Sequence, residues 1–374
     1  MPSRWRAWTG SLSPLPVWWW GRQRSGIQRV QLSRLRFDDP LRKTHALRIK
    51  VLKRFRWRCG LVLLVLPLLV ACSEKGEGER LIAVAEQSLK EGQLSVAAEL
   101  YHRVSRLRPQ QLSIHYRAGL VDVQVDNLHE AEEHLRTAIA LEPEFAPAHL
   151  DLGVVLLKRG HKEEGRKEFI EALRLDPQFT RAYYNLGVMA LDEGRFAEAE
   201  ELLKKAISSD PTHQASYVRL GNVYVKQQMF AAALRVLEQG LSLNPNHAPA
   251  FFNSGIAYAG LGQNEGALAA FKRAIQLNPS YAVAHYNLGT MLLNLRRYRE
   301  ALQPLQEAIR LDPQSADARY NLAVAYAHLG EAENAVHWLK QAIQLNPALA
   351  SEAQTDEDFT SLRSSPDFLA ITQP

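Results

Sequence analysis

The sequence predicts an all-α solenoid of eight helix–turn–helix units, and three observations carry that expectation. Proline returns at Pro109, Pro143, Pro177, Pro211, Pro245, Pro279, Pro313 and Pro347, each 34 residues after the last, in a chain of 374 residues. A fixed period of 34 is the signature of one helix pair repeated along a stack. Small residues recur on the same beat at two further places of the unit, and a glycine often stands midway between them. Such a stack grows by adding neighbours around a continuous core, so chain length alone sets no domain count.

Counting back from each proline divides the array 78–349 into the units 78–111, 112–145, 146–179, 180–213, 214–247, 248–281, 282–315 and 316–349. The eighth place holds Gly119, Gly153, Gly187, Gly221, Gly255 and Gly289, with Ala85 and Ala323 in the outermost units. A glycine inside a helix costs about 1 kcal/mol against alanine, so six of them imply a close approach at that place. The twentieth place agrees, with Gly165 in the third unit and alanine in the others. Four residues later comes a bulky group: Tyr101, Leu135, Phe169, Leu203, Leu237, Phe271, Leu305 or Leu339. Gly92, Gly160, Gly194, Gly262 and Gly330 fall at the fifteenth place, where a left-handed residue ends the first helix. The recurring Leu-Asp-Pro or Leu-Asn-Pro ends the second, because the residue before proline is pushed out of the helical region. Each unit is therefore two antiparallel helices of about twelve to fourteen residues. Pro304 departs from the pattern, since within a second helix it should kink the chain or leave a carbonyl unpaired.

With a 34-residue unit and Gly, Ala, aromatic and Pro at these places, the chain resembles the tetratricopeptide repeat family over residues 78–349. The resemblance implies a right-handed superhelical solenoid whose first helices line a concave groove. It also implies that the second, fifth, sixth, ninth and thirteenth places of each first helix face that groove. The sixth place carries Asn185, Asn253, Asn287 and Asn321, with Arg219 interrupting the series and Asp151 preceding it. The fifth carries Tyr116, Tyr184, Phe252, Tyr286 and Tyr320. An asparagine amide donates to a peptide carbonyl and accepts from its N–H, so a row of them can hold an extended chain. Related arrays use such a ladder to bind peptides. The competing account is that these residues only brace the helix pairs, the rings packing partly on neighbouring units. Beyond Pro347, Phe359, Leu362, Phe368, Leu369 and Ile371 form two short apolar clusters. Residues 350–374 are accordingly expected to cap the last apolar face, with Ser364-Ser365-Pro366 opening the final turn.

Ahead of the array the composition changes. Before Cys72 the chain has 15 Lys/Arg against two Asp, a net +13, and six of the seven tryptophans. From Cys72 onward 30 basic residues face 38 acidic ones, a net −8, which argues against nucleic acid as a partner of the array. Residues 1–50, rich in Arg and Trp, are expected to be a disordered basic extension. Residues 51–71 combine the basic segment Val51–Arg58 with the apolar run Gly60–Ala71, the arrangement of a secretory signal. Twelve residues make only about 18 Å of helix, short of a bilayer core of about 30 Å. Leu69-Val-Ala-Cys72 resembles the lipobox of bacterial lipoproteins, which implies cleavage before Cys72 and acylation of that residue. Residues 72–77 then form a polar tether. A signal normally lies at the extreme amino terminus. A translation start near Val51 would place it there, whereas a genuine Met1 would make the leader a basic tail on an uncleaved anchor.

Catalytic and metal chemistry find little support. Cys59 and Cys72 are the only cysteines, so no cysteine framework can form inside the array. His115, His149 and His285 all occupy the fourth place, and register accounts for them as packing residues. His129 and His134 are five apart, about 140° around a helix, whereas the metalloprotease pair must be four apart. No glycine-rich phosphate loop, Ser-His-Asp order or catalytic carboxylate pair stands out. The reading is a non-enzymatic scaffold without cofactor, metal or small-molecule substrate, binding protein or peptide partners in its groove. The lipobox implies attachment to a membrane through Cys72, on the periplasmic face. Ser73 would favour the outer membrane in a two-membrane bacterium. The alternatives are a recognition array serving a separate glycosyltransferase or protease, or a cytoplasmic adaptor with a basic tail.

Overall fold

The structure, a computed structural model, describes residues 62–373, and residues 62–75 by their backbone alone. The expected basic extension 1–50 and most of the expected leader lie outside the described residues. What is described is helical from end to end. The first repeat is α1 (Val62–Lys90) and α2 (Leu94–Leu107), the second α3 (Leu112–Gln124) and α4 (Leu128–Leu141), the third α5 (Ala146–Lys158) and α6 (Lys162–Leu175). The fourth is α7 (Thr180–Asp192) and α8 (Phe196–Ser209), the fifth α9 (Gln214–Lys226) and α10 (Phe230–Leu243), the sixth α11 (Ala248–Gly260) and α12 (Asn264–Leu277). The seventh is α13 (Ala282–Asn294) and α14 (Tyr298–Leu311), and the eighth α15 (Ala316–His328) and α16 (Ala332–Leu345). A cap follows, made of α17 (Leu349–Thr355), a 3-10 turn (Glu357–Leu362) and α18 (Pro366–Thr372). The fold is an all-α solenoid. Helix α1 runs unbroken through 72–77, the stretch that the sequence suggests as a tether. Among the described residues no helix is long and apolar enough to cross a membrane.

The chain divides at Leu175/Asp176 into two compact units, one holding α1–α6 and the other α7–α18. In the first, Ala85, Ala97, Tyr101, Ala118 and Val121 form one buried cluster and Ala131, Leu135, Leu152, Val155 and Leu156 another. In the second, a core runs from Ala190 through Leu237, Phe271 and Leu305 to Leu322. Phe359, Leu362 and Phe368 of the cap close it over Leu339 and Ala342. Tyr320 Oη donates to Asp356 at 2.7 Å and His328 faces Asp358 at 2.8 Å, which fastens the cap by polar contacts as well.

The small residue at the eighth place exists because the bulky residue at the twenty-fourth sits on it. A Cβ built on Gly153 would lie 2.7 Å from the Phe169 ring and 3.0 Å from the Gly165 carbonyl. Phe169 is fully buried and has nowhere to retreat. The turn between helices is equally constrained. Gly92, Gly160, Gly194, Gly262 and Gly330 all have φ between 71° and 86°. The other three repeats keep that backbone without glycine, at Asp126 (φ 66°), Gln228 (60°) and Arg296 (57°).

The proline beat is built into the stack through two hydrogen bonds. Before six of the eight prolines, from Pro177 to Pro347, the Asp or Asn side chain accepts the N–H two residues on, as Asp210 does from Thr212 at 2.8 Å and Asn278 from Ser280 at 3.2 Å. This Asx turn explains the Asp/Asn preference at that position. The proline carbonyl is then met from the fourth place of the next repeat. His115, His149 and His285 bring Nε2 to Pro109, Pro143 and Pro279 at 3.0–3.1 Å, and Tyr217 Oη does the same for Pro211. Pro304 is buried inside α14, which continues through it to Leu311. Its missing N–H leaves the Glu300 carbonyl without the usual helical donor.

Gln228→Gly and Arg296→Gly should each stabilise the protein by about 1 kcal/mol, the cost of holding an L-residue in the left-handed region. Their effects should add in denaturant titrations because the two sites lie in different turns. Gly153→Val should destabilise by about 1–3 kcal/mol through overpacking against Phe169.

Candidate functional site

The fifth- and sixth-place residues lie on the first helices, and α3 meets α5, α7 meets α9, α9 meets α11 and α13 meets α15. That packing brings the fifth place of one repeat to the sixth place of the next. Tyr116 Oη donates to Asp151 at 2.8 Å, and the Asp151 residue is only 5 % exposed. In the other unit Arg219 Nε donates to Tyr184 Oη at a long 3.4 Å. Asn321 Nδ2 donates to Thr290 Oγ1 at 2.9 Å, and both groups border the Tyr286 hydroxyl. Burial pushes that hydroxyl up to about 12, so it stays protonated as a donor. Tyr320 has no ninth repeat to meet and reaches Asp356 of the cap instead. The rings also pack locally. Tyr116 meets Phe145 edge-on at 5.0 Å, Tyr184 meets His213 at 5.2 Å, and Phe252 lies 5.1 Å from Tyr281.

The expected asparagine ladder thus separates into two kinds of residue. Asn287 turns back on its own helix, donating to the Val283 carbonyl at 2.8 Å, and Asn321 is engaged by Thr290. Asn185 and Asn253 make no side-chain hydrogen bond among the described residues, although Asn253 is only 8 % exposed. A burial this deep would normally be accompanied by a partner. Asn185, Arg219 and Asn253 hold equivalent places on α7, α9 and α11, consecutive first helices of one unit. The remaining predicted residue, Cys72, falls within α1 at a position described by backbone alone.

Next to this row, His247 caps α11, its Nδ1 accepting the Ala250 N–H at 3.2 Å. Burial pushes the His247 pKa down, and the positive charge of Arg219 adds to the shift. Protonation would remove the acceptor and set a cation at a helix N-terminus, where the helix dipole repels it.

A second group of side chains, which place-by-place reading of the sequence passes over, lies in the α1–α6 unit. His102 on α2, Asp122 on α3 and His134 on α4 bring one donor atom each to within 4.8 Å of one another. His102 Nε2 lies 2.8 and 2.9 Å from the two Asp122 oxygens, and His134 Nε2 lies 4.0 Å from Oδ2. The Asp122 side chain is fully buried, and that burial pushes its pKa up, while the His102 contact opposes the shift. The aspartate itself was the available signal. The same eleventh place holds Ser88, Leu156, Ala190, Tyr224, Tyr258, Leu292 and Tyr326 in the other repeats, none of them charged.

Comparison with known proteins agrees with this architecture. The Tetratricopeptide repeat family model matches residues 123–187, and that of the Cilia and flagella-associated protein 70 C-terminal domain matches residues 179–355. Among solved structures the chain is similar to the APC/C hetero-tetramer Cut9–Hcn1, with a TM-score of 0.55 and 18 % identity over 76 % of this chain and 54 % of that one. It is similar to Pseudomonas aeruginosa pilF, with a TM-score of 0.51 and 20 % identity over 58 % of this chain and 96 % of that one. YrrB, described as a TPR protein with an unusual peptide-binding site, aligns at 28 % identity and a TM-score of 0.41 over 49 % of this chain and 97 % of that one. No curated protein matches the chain. The chain carries tetratricopeptide repeats, a fold consistent with a scaffold that binds proteins or peptides.

The His247 cap gives a pH signature. An imidazole whose folded pKa lies below the unfolded value near 6.5 takes up its proton more readily in the unfolded chain, so stability falls as pH drops below about 6.5. His247→Asn keeps a capping acceptor without a titratable ring. Thermal unfolding from about pH 7.5 to about pH 5 should show a smaller loss of Tm in the variant than in the parent.

Proposed function

We propose that the chain is a non-enzymatic scaffold that holds an extended peptide segment of a partner protein along the row Asn185–Arg219–Asn253. The observation that carries this reading is the pair of unengaged amides. Asn287 and Asn321 of the same series spend their N–H groups internally, whereas Asn185 and Asn253 spend none among the described residues. A free amide offers a donor and an acceptor, the complement of a peptide group, and so reads backbone with little regard to sequence. Arg219 between them favours a partner with a carboxylate, from an acidic side chain or a chain terminus. Tyr184 and the half-buried ring faces nearby supply apolar contact.

The scaffold is proposed to be lipid-anchored at the periplasmic face of a bacterial membrane, through Cys72. The basic flank, the apolar run Gly60–Ala71 and Leu69-Val-Ala-Cys72 support that placement. Two or more acyl chains would hold a soluble array stably where one is marginal. On this reading the protein is an envelope assembly factor, with Ser73 favouring the outer membrane.

Photocrosslinking from positions 185 and 253 in cells should trap a partner peptide. Asn185→Ala with Asn253→Ala should then weaken its binding by about 1–3 kcal/mol, the net worth of two to four hydrogen bonds. Unchanged affinity in a folded double variant would remove the ladder from the account. For the anchor, mass spectrometry of the mature chain should find acylated Cys72 as its first residue. An intact leader joined to an unmodified cysteine would contradict the lipoprotein assignment.

A further inference from the structure

The His102, Asp122 and His134 cluster is not explained by peptide binding or by the repeat consensus. Its three members occupy the twenty-fifth, eleventh and twenty-third places, and no other repeat combines such residues there. At the twenty-fifth place the others carry Arg136, Ile170, Lys204, Glu238, Lys272, Gln306 and Lys340, none of them a histidine. A buried carboxylate costs several kcal/mol unless it is paired and hydrogen-bonded. The repeats with Leu156, Ala190 or Leu292 at the eleventh place show that the fold does not need one there.

The hydrogen-bond directions around the cluster fix what it lacks. His115 Nε2 faces the Pro109 carbonyl at 3.1 Å, and a carbonyl only accepts, so this nitrogen carries the proton. In the neutral ring the lone pair of His115 is then on Nδ1, which lies 3.2 Å from His134 Nδ1. His134 must donate across that contact, and its own lone pair then sits on Nε2. The Asp122 carboxylate lies 4.0 Å from that nitrogen, too far for a hydrogen bond, so the two donor atoms stand near each other without being joined. In the third repeat the equivalent contact is different, for His149 Nδ1 meets the acceptor Glu168 at 2.7 Å.

We propose that His102 Nε2, Asp122 and His134 Nε2 form a binding site for a first-row divalent cation of the zinc type. Two imidazole nitrogens and one carboxylate oxygen are a usual ligand set for that ion, with a fourth position left for water or an outside donor. Metal–ligand bonds of about 2.0–2.2 Å put ligands about 3.3 Å apart, so closing the site needs movements on the order of an ångström. The cation would take the lone pair of His134 and that of His102 in the tautomer whose proton has moved from Nε2 to Nδ1, and it would neutralise the buried Asp122. His115, with its bond to Pro109, would act as the positioning residue that holds the His134 tautomer, the usual second-sphere arrangement for a metal-bound histidine. Access is open, since the His102 and His134 side chains are 24 % and 16 % exposed. The three ligands lie on α2, α3 and α4, so the ion would bolt the second helix of the first repeat to both helices of the second.

Chelator-treated full-length chain, titrated with zinc chloride by calorimetry, should bind one ion with micromolar or tighter affinity and gain Tm. His102→Gln and His134→Gln should each weaken binding at least tenfold, and His115→Ala by roughly 10–100-fold. Cobalt substitution should give visible bands that the His102→Gln chain lacks, while magnesium and calcium should not compete. His102 is the least buried ligand, so its variant tests the site even if His134→Gln unfolds. Zinc binding equal in the parent and in folded His102→Gln would place the ion elsewhere on the chain and overturn the proposal. So would a parent chain that binds no zinc, with a cluster that only makes Tm depend on pH.

Discussion

The architecture depends on one contact repeated along the chain, the twenty-fourth residue of a unit lying on the eighth. Where the eighth is Gly221, Gly255 or Gly289, an added Cβ would come within 2.5 Å of Leu237, Phe271 or Leu305. Removing that Cβ lets the two helices approach closely enough to bury the larger side chain completely, which offsets the helix-propensity cost of glycine. Once the pair is fixed, its remaining surfaces are fixed too. The first helices come into line, the proline carbonyl of one repeat meets the fourth place of the next, and the fifth place meets the sixth. The stack is thus specified by nearest-neighbour terms.

This explains why so much of the fold is legible in the sequence. Each nearest-neighbour term recurs with the unit, so the places at which it acts stand out as columns of small, bulky or punctuating residues. Even the three turns without glycine follow, because the flanking helices impose the left-handed backbone on Asp126, Gln228 and Arg296. The His102, Asp122 and His134 meeting was hidden for the same reason. It joins unequal places on three helices, 20 and 12 residues apart, and a column-by-column reading compares only equal places. The odd member of a single column, an aspartate among apolar residues and tyrosines, was its trace.

The candidate groove shows a subtler limit. The sequence presents the fifth and sixth places as two parallel rows, each apparently available to a partner. The structure makes them one seam, in which a tyrosine of one repeat is directed at the sixth residue of the next. Asp151 behind Tyr116 and Asn321 behind Tyr286 are drawn into that seam.

Asn253 follows a repeat whose fifth place is Val218, which has no hydroxyl to offer, and among the described residues its amide has no side-chain hydrogen bond. Asn287 follows Phe252 and, equally without a hydroxyl to meet, bonds to its own helix instead. The same asparagine therefore serves as internal brace or as free amide according to a residue 35 positions earlier and the rotamer left open to it. Binding capacity in such a row is a matter of pairs of repeats, and a single consensus position does not carry it. A repeat array can consequently alter what it holds by exchanging tyrosine for valine one unit away, while the packing that defines the stack stays intact.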